Sequence, residues 1–175
     1  MSASRFQILV LCTGNSARSQ IAEALFATRG AGRVIAASAG SHPAPRVNPY
    51  AVETLAAHGI EWYDRVPKRL DEVEGVAYDL VITVCDNAAE ACPYFPGAAA
   101  QVHWGLPDPA DETERDAALR AFEATYQALD ARITRLLALP IEAMGAEELV
   151  RWRAQFTANA KRPRLFIGAP LTTNA

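Results

Sequence analysis

The stretch that most restricts the fold is the apolar run 8–11 (ILVL), which leads through a polar loop at residues 12–19 (CTGNSARS) into a helical pattern. A buried strand, a short loop and a helix together form the unit from which parallel α/β sheets are built. A loop in this position directs successive backbone N–H groups, and the positive end of the helix dipole, toward one point. The sequence therefore predicts a binding site for a phosphate-sized oxyanion at this loop.

Two side chains in the loop indicate chemistry as well as binding. Arg18 carries a planar, permanently charged guanidinium that suits an oxyanion. The same positive field should lower the pKa of the Cys12 thiol from about 8.5 toward the ~3.5–7.5 range of activated cysteines. We predict Cys12 as a nucleophile; the alternative is a buried cysteine that ends a strand. The predicted oxyanion-binding residues are Thr13, Gly14, Asn15, Ser16, Ala17, Arg18 and Ser19.

The rest of the chain alternates between strand and helix patterns. Apolar runs predict strands at 6–11, 33–39, 78–84 and 100–104, and helical periodicity predicts helices at 19–29, 48–58 and 112–139. Asn48 is the expected cap of the second helix, Pro49 its first residue and Gly59 its stop. Strands that alternate with helices predict a parallel sheet.

Three chemically capable residues follow predicted strands. Cys12 ends the first, Cys85 the third, and Asp108 comes after the fourth. Open α/β sheets bind ligands beyond the carboxyl ends of their strands, so we expect these residues at one edge of the sheet. Asp108, between two prolines, is a candidate general acid. The alternative for Asp108 is a cap or turn residue, with Asp111 as the predicted cap of the following helix.

Cys85 and Cys92 flank a short segment and suggest redox exchange. In a helix, seven residues would separate their Cα atoms by ~10.5 Å, whereas a disulfide needs roughly 4.4–6.8 Å. Direct pairing would require this segment to unwind or loop. The alternative is that Cys85 is part of the sheet core and Cys92 a small helix residue.

Composition excludes several classes of function. The length of 175 residues predicts one domain plus a tail, and the net charge of −3 argues against nucleic-acid or anionic-membrane partners. We see no apolar stretch near the ~20 residues of a spanning helix and no signal-peptide pattern, so we expect a cytoplasmic protein. Three cysteines are too few for a disulfide scaffold, and the scattered His42, His58 and His103 argue against a metal site.

Segments 10–19, 83–87, 92–93 and 108–109 resemble the bacterial arsenate reductases built on the low-molecular-weight tyrosine phosphatase fold. The resemblance spans residues 6–139. It implies an α/β fold with a four-stranded parallel open sheet, helices on both faces and a C-terminal helical tail. We accordingly expect an arsenate reductase or phosphatase-like domain at 1–139 and a C-terminal extension at 140–175.

The resemblance also implies a mechanism. Cys12 attacks the arsenic of arsenate while Arg18 and the loop amides hold the oxyanion, and Asp108 protonates the departing oxygen. Cys85 then attacks the Cys12 sulfur, arsenite leaves, and Cys92 attacks Cys85 to carry the disulfide outward. Thioredoxin is the implied electron donor, and no tightly bound cofactor is expected.

Two features depart from the family pattern. Some relatives hold a potassium ion with groups that match Asn15, Glu23 and Ser38, and we hypothesise that Lys68 replaces this ion. The second departure is the tail, where Leu149, Trp152 and Phe156 share a helical face and a basic cluster follows at 161–164. The tail could pack on its own domain, cap the site or bind another chain.

Two other functions fit parts of the pattern. A phosphotyrosine phosphatase would use Cys12, Arg18 and Asp108 but needs neither further cysteine, and the Asp108 loop lacks aromatic residues that would flank a phenol ring. An oxyanion-responsive redox sensor without turnover would keep all three cysteines and rely on a partner to read the disulfide.

Overall fold

The computed structural model describes residues 5–85 and 95–154. Cys92, Phe156, the basic cluster and the side chain of Cys85 lie outside the described residues. The strands are β1 (Phe6–Cys12), β2 (Val34–Gly40), β3 (Tyr78–Cys85) and β4 (Ala98–Leu106). The helices are α1 (Arg18–Arg29), α2 (Pro49–Ala57), α3 (Arg115–Leu137) and α4 (Ala146–Ala154), with short 3-10 turns at Leu70–Glu72, Pro109–Asp111 and Ile141–Ala143.

The four strands form one parallel sheet in the order β2-β1-β3-β4. Their carboxyl ends therefore meet at one edge. Cys12 pairs with Gly40 at that edge, and Cys85 pairs with Leu106 after a register shift between Thr83 and Cys85. The predicted parallel open sheet is confirmed. Asp108 lies two residues beyond Leu106, the last residue of β4.

The sheet is covered on both faces, as the apolar run of β1 predicts. Ile8 and Val10 belong to the larger core cluster, whereas Leu9 and Leu11 belong to a smaller cluster on the opposite face. All four are at most 1% exposed. Because alternate residues of a strand point to opposite faces, this burial holds β1 in place from both sides and positions the loop that follows it.

Local signals placed α2 correctly. The side chain of Asn48 accepts a hydrogen bond from the backbone N–H of Tyr50 at 2.9 Å, and Pro49 is the first helical residue. Gly59 follows the helix with a φ of +75°, a left-handed conformation that favours glycine.

The predicted start and cap of the long helix were wrong. α3 begins at Arg115, not at residue 112, and the Glu114 carboxylate caps it by accepting from two backbone amides at 3.0 and 3.2 Å. Asp111 instead ends the 3-10 turn Pro109–Asp111, whose cap is Asp108. Proline favours the first position of such a turn because its ring fixes φ at a helical value. The 3-10 turn therefore takes up residues 109–111, and α3 begins after it.

The described part of the predicted extension packs on the domain. Ile141 is fully buried, Leu149 is 3% exposed, and the rings of Trp152 and Trp104 lie 6.5 Å apart. The Arg33 guanidinium donates to the carbonyls of Leu137 and Leu139, at and just after the end of α3, at 2.6 and 2.9 Å. It also pairs with the Glu142 carboxylate in the following 3-10 turn. The domain boundary at 139 stays a prediction. In the described residues, none of the helices has the length and apolar character to cross a membrane.

Candidate active site

The loop after β1 is hydrogen-bonded along its backbone to the segment 41–48. Four backbone amides of that segment donate to the carbonyl oxygens of residues 12, 13, 14 and 16 at 2.8–3.3 Å. These carbonyl oxygens are thereby paired with the amides of segment 41–48. The backbone N–H of Asn15, a residue with a φ of +47°, points instead to Cys12 Sγ at 3.1 Å. The loop therefore has the polarity of an anion cradle.

Gly40 permits this close contact, and sequence reasoning did not identify it. A Cβ at this position would lie 2.4 Å from the carbonyl oxygen of Thr13 and 2.9 Å from the amide nitrogen of Asn15. The backbone N–H of Gly40 also donates to the carbonyl of Lys68 at 2.9 Å. Because backbone lies on both sides, only glycine fits here without movement of the cradle.

Cys12 lies at the centre of the cradle and is 3% exposed. Besides the amide of Asn15, its sulfur contacts Ser19 Oγ at 2.8 Å. Hydrogen bonds donated to a sulfur favour its anionic form, and the first turn of α1 adds a favourable dipole. These contacts are compatible with a thiolate, and the nucleophilic role of Cys12 stays a prediction.

Arg18 and Asp108 are brought together at the edge of the cradle. Arg18 Nη2 lies 2.6 Å from Asp108 Oδ2, and Nη1 donates to the carbonyl of Leu106 at 2.8 Å. Within the described residues, Nε of Arg18 is a buried side-chain nitrogen without a hydrogen-bond partner. An unsatisfied buried donor costs about 1–3 kcal/mol, so its presence in a cradle of amides indicates a position for an anionic ligand.

Asp108 has the cap position that the sequence analysis gave as its alternative, and it also pairs with Arg18, while its role as a general acid stays a prediction. One carboxylate oxygen accepts from the backbone N–H of Ala110 at 3.1 Å and caps the 3-10 turn, while the other pairs with Arg18. The side chain is 37% exposed, so solvent reaches it. This arrangement holds the carboxyl group beside the Arg18 guanidinium.

The residues predicted as a cation site converge behind the cradle. Asn15 Nδ2 donates to Ser38 Oγ at 2.8 Å, and Ser38 donates to Glu23. Lys68 Nζ lies 3.5 Å from the Glu23 carboxylate, which is buried. Across residues 5–85 and 95–154, no group of three or more His, Cys, Asp or Glu side chains is arranged to hold a metal ion. The Lys68 ammonium therefore lies beside the buried Glu23 carboxylate.

Two further polar residues reach the cradle and were missed by sequence reasoning. Gln20 donates through Nε2 to the backbone oxygen and to Oδ1 of Asn15, at 3.0 and 3.1 Å. Trp62 donates its indole N–H to Gln20 Oε1 at 2.9 Å. The sequence separation of 42 residues between them leaves no local signal for this contact.

Comparison with known proteins gives a consistent result. The family model for low molecular weight phosphotyrosine protein phosphatase matches residues 7–150. An arsenate reductase of Halalkalibacterium halodurans is 40% identical over 103 residues, which cover 59% of this chain and 73% of that protein.

Solved structures agree with the sequence relatives. The arsenate reductase of Archaeoglobus fulgidus superimposes with a TM-score of 0.63 at 30% identity, covering 75% of this chain and 99% of the other. The thioredoxin-dependent arsenate reductase of Corynebacterium glutamicum gives 0.61 at 30% identity, covering 79% and 63%. With its parallel sheet and its cysteine-centred anion cradle, the chain belongs to the low molecular weight phosphotyrosine protein phosphatase family.

Proposed function

We propose that this chain is an arsenate reductase that converts arsenate to arsenite through a covalent adduct on Cys12. The observation that carries the proposal is the buried Cys12 sulfur at the centre of an anion cradle, beside an arginine whose Nε–H is unsatisfied in the described structure. Relatives named arsenate reductase that share 40% and 38% of aligned residues support the choice of arsenate over other oxyanions.

In the first step, the Cys12 thiolate attacks arsenic and forms a sulfur–arsenic bond. A hydroxyl of arsenate leaves as water after it takes a proton from Asp108. Arg18 and the loop amides, including that of Asn15, bind the remaining oxygens. The salt bridge of 2.6 Å between Arg18 and Asp108 supports these roles, because a bound anion would compete for the guanidinium and leave the carboxyl group able to take up a proton.

In the second step, the sulfur of Cys85 attacks Cys12 Sγ. The sulfur–arsenic bond breaks, its electron pair reduces arsenic from the +5 to the +3 state, and arsenite leaves; the thiol proton of Cys85 passes to solvent. Support comes from the backbone of β3, which ends at Cys85 on the same sheet edge as Cys12. The product is a Cys12–Cys85 disulfide.

In the third step, Cys92 attacks Cys85 and releases Cys12 as a thiolate. The burial of Cys12, a residue that is 3% exposed, supports the need for this step, because an external reductant could not readily reach the Cys12 sulfur of that disulfide. We infer that thioredoxin, a protein dithiol, then reduces the Cys85–Cys92 disulfide in a reducing, cytoplasmic setting. The chemistry needs no tightly bound cofactor.

The first test measures arsenate-dependent NADPH oxidation by the full chain with thioredoxin and thioredoxin reductase. We expect steady turnover with the wild-type chain and none with Cys12→Ser. In the absence of thioredoxin, arsenate should remove two titratable thiols per chain. Cys92→Ser should still lose two thiols once, because Cys12 and Cys85 remain, but should not turn over.

The same assay separates the rival functions. Loss of thiols without turnover would support an oxyanion-responsive redox sensor or a different reductant. Hydrolysis of a phosphate monoester without any thiol loss on arsenate would support a phosphatase. The first result would keep the cysteine relay and contradict turnover with thioredoxin, whereas the second would contradict the proposed reductase.

A further inference from the structure

A chain of buried hydrogen bonds connects Trp62 to the reacting sulfur. The indole N–H of Trp62 binds Gln20, Gln20 binds Asn15, Asn15 Nδ2 binds Ser19 Oγ at 2.9 Å, and Ser19 contacts Cys12 Sγ at 2.8 Å. We propose that Trp62 and Gln20 are positioning residues that set the direction of this chain, so that the Ser19 hydroxyl donates to Cys12.

The direction follows from the chemistry of the donors. An indole N–H can only donate, so it fixes Oε1 of Gln20 toward Trp62 and leaves Nε2 for Asn15. Oδ1 of Asn15 must then accept, and its Nδ2 must donate to Ser19. Since the Ser19 oxygen already accepts a hydrogen bond, its own hydrogen is available for the sulfur, which favours the thiolate form of Cys12.

The backbone amide of Lys68 supports the same direction, because it donates to Asn15 Oδ1 at 2.8 Å. Ser38 accepts a hydrogen bond from Asn15 Nδ2 and donates its own hydrogen to the Glu23 carboxylate. Both hydroxyls bound by Asn15 are thus acceptors toward its amide.

Gln20 has a second effect through the backbone. Its Nε2 also donates to the carbonyl oxygen of Asn15 at 3.0 Å, and Asn15 has a φ of +47° that non-glycine residues seldom adopt. The contact holds the residue whose N–H points at Cys12 Sγ. Gln20 therefore acts on the thiol through both the amide and the hydroxyl that contact it.

Burial makes the direction of these bonds consequential. Gln20 is 1% exposed and Trp62 5% exposed, so water is poorly placed to replace a lost partner. The guanidinium carbon of Arg65 lies 4.1 Å from the ring centre of Trp62 and covers its face. The inference rests on the proposed function only in taking Cys12 as the reacting thiol.

The test follows the pH dependence of Cys12 alkylation by iodoacetamide in the full-length chain, measured by mass spectrometry of the Cys12 peptide. Inorganic phosphate serves as the second probe, because its binding should protect Cys12. Gln20→Met keeps the side-chain volume and removes its hydrogen bonds, and Trp62→Phe keeps a ring and removes the N–H. Trp104→Phe is the matched control, since Trp104 is also buried but packs on Phe26 and Trp152.

We expect Gln20→Met to move the midpoint of the alkylation profile upward by about 0.5–1 pH unit, the equivalent of one net hydrogen bond, and to weaken phosphate protection severalfold. Trp62→Phe should change the midpoint and the phosphate protection in the same directions but by less. Trp104→Phe should change neither quantity. Gln20→Glu tests direction, because its carboxylate faces two oxygens of Asn15. Its alkylation rate, divided by that of wild type at the same pH, should fall as this group ionises and return toward one at lower pH, where the carboxyl group can donate.

Unchanged alkylation profiles and phosphate protection in Trp62→Phe and Gln20→Glu would overturn the inference, and these two conservative variants serve if Gln20→Met does not fold. An activated, phosphate-protected wild-type Cys12 in that experiment would leave the proposed function standing. A wild-type Cys12 that reacts no faster than a simple alkyl thiol, with no protection by phosphate, would refute the proposed function and the inference together.

Discussion

Replacing Gly40 by alanine should damage the anion cradle directly. The new methyl group would lie 2.4 Å from the carbonyl oxygen of Thr13 and 2.9 Å from the amide nitrogen of Asn15, both of them backbone atoms. A carbon and an oxygen that are not bonded normally approach no closer than about 3.3 Å. The two segments must therefore separate by nearly 1 Å.

Neither side can move at low cost. Gly40 pairs with Cys12 across β2 and β1, and its N–H is bonded to Lys68. Overpacking of this kind destabilises a protein by about 1–3 kcal/mol, which lowers Tm by about 2–4 °C per kcal/mol in a chain of this size. A misplacement of about 1 Å at reacting groups can also reduce kcat/KM about 100-fold. We expect Gly40→Ala to show both effects.

Differential scanning calorimetry gives Tm, and thioredoxin-coupled turnover of arsenate gives kcat/KM. Gly145→Ala is the matched control, because its Cβ would meet nothing closer than an oxygen of Glu148 at 3.9 Å. A folded Gly40→Ala protein with wild-type Tm and a kcat/KM within twofold of wild type would refute the steric argument.

Three further predictions follow from single contacts. Since the Lys68 ammonium stands beside a buried carboxylate, we expect reductase activity of the wild-type chain to be equal in potassium and sodium buffers, and a requirement for potassium would contradict this. Asp108→Asn should slow adduct formation by ~10²–10⁴-fold, measured as single-turnover thiol loss, while phosphate still binds Arg18; an unchanged rate would exclude the acid role. The hydrogen bond from Arg33 lowers the pKa of Glu142 from 4.5 to about 2, so this pair stabilises the fold above pH 4.5 and loses its effect as the pH falls toward 2. Because the carboxylate is 37% exposed, Glu142→Gln should reduce stability by only ~0.2–1 kcal/mol in urea unfolding at pH 7, and by less at pH 2.5; equal losses at both pH values would refute the assignment.

Local patterns were sufficient for most of the fold. Apolar runs located all four strands, and the cap Asn48 with Pro49 located the start of α2, because those signals act between residues close in the chain. The start of α3 was predicted wrongly because that prediction also used only local signals. Asp111 is a preferred N-cap type and Glu114 is not, but the 3-10 turn that begins at Pro109 takes up Asp111, and the helix begins after Glu114.

That Cys12 and Arg18 lie at the two ends of one loop could be read from the sequence, because a strand, a loop and a helix in succession place them there whatever surrounds them. Which distant groups lie against this loop depends on tertiary packing. The contact of Gly40 with the loop, the pair of Arg18 with Asp108, and the link from Trp62 to Gln20 join residues 25 to 90 positions apart. Such contacts depend on how the strands align and on which side chains share a buried space, and no spacing along the chain encodes either.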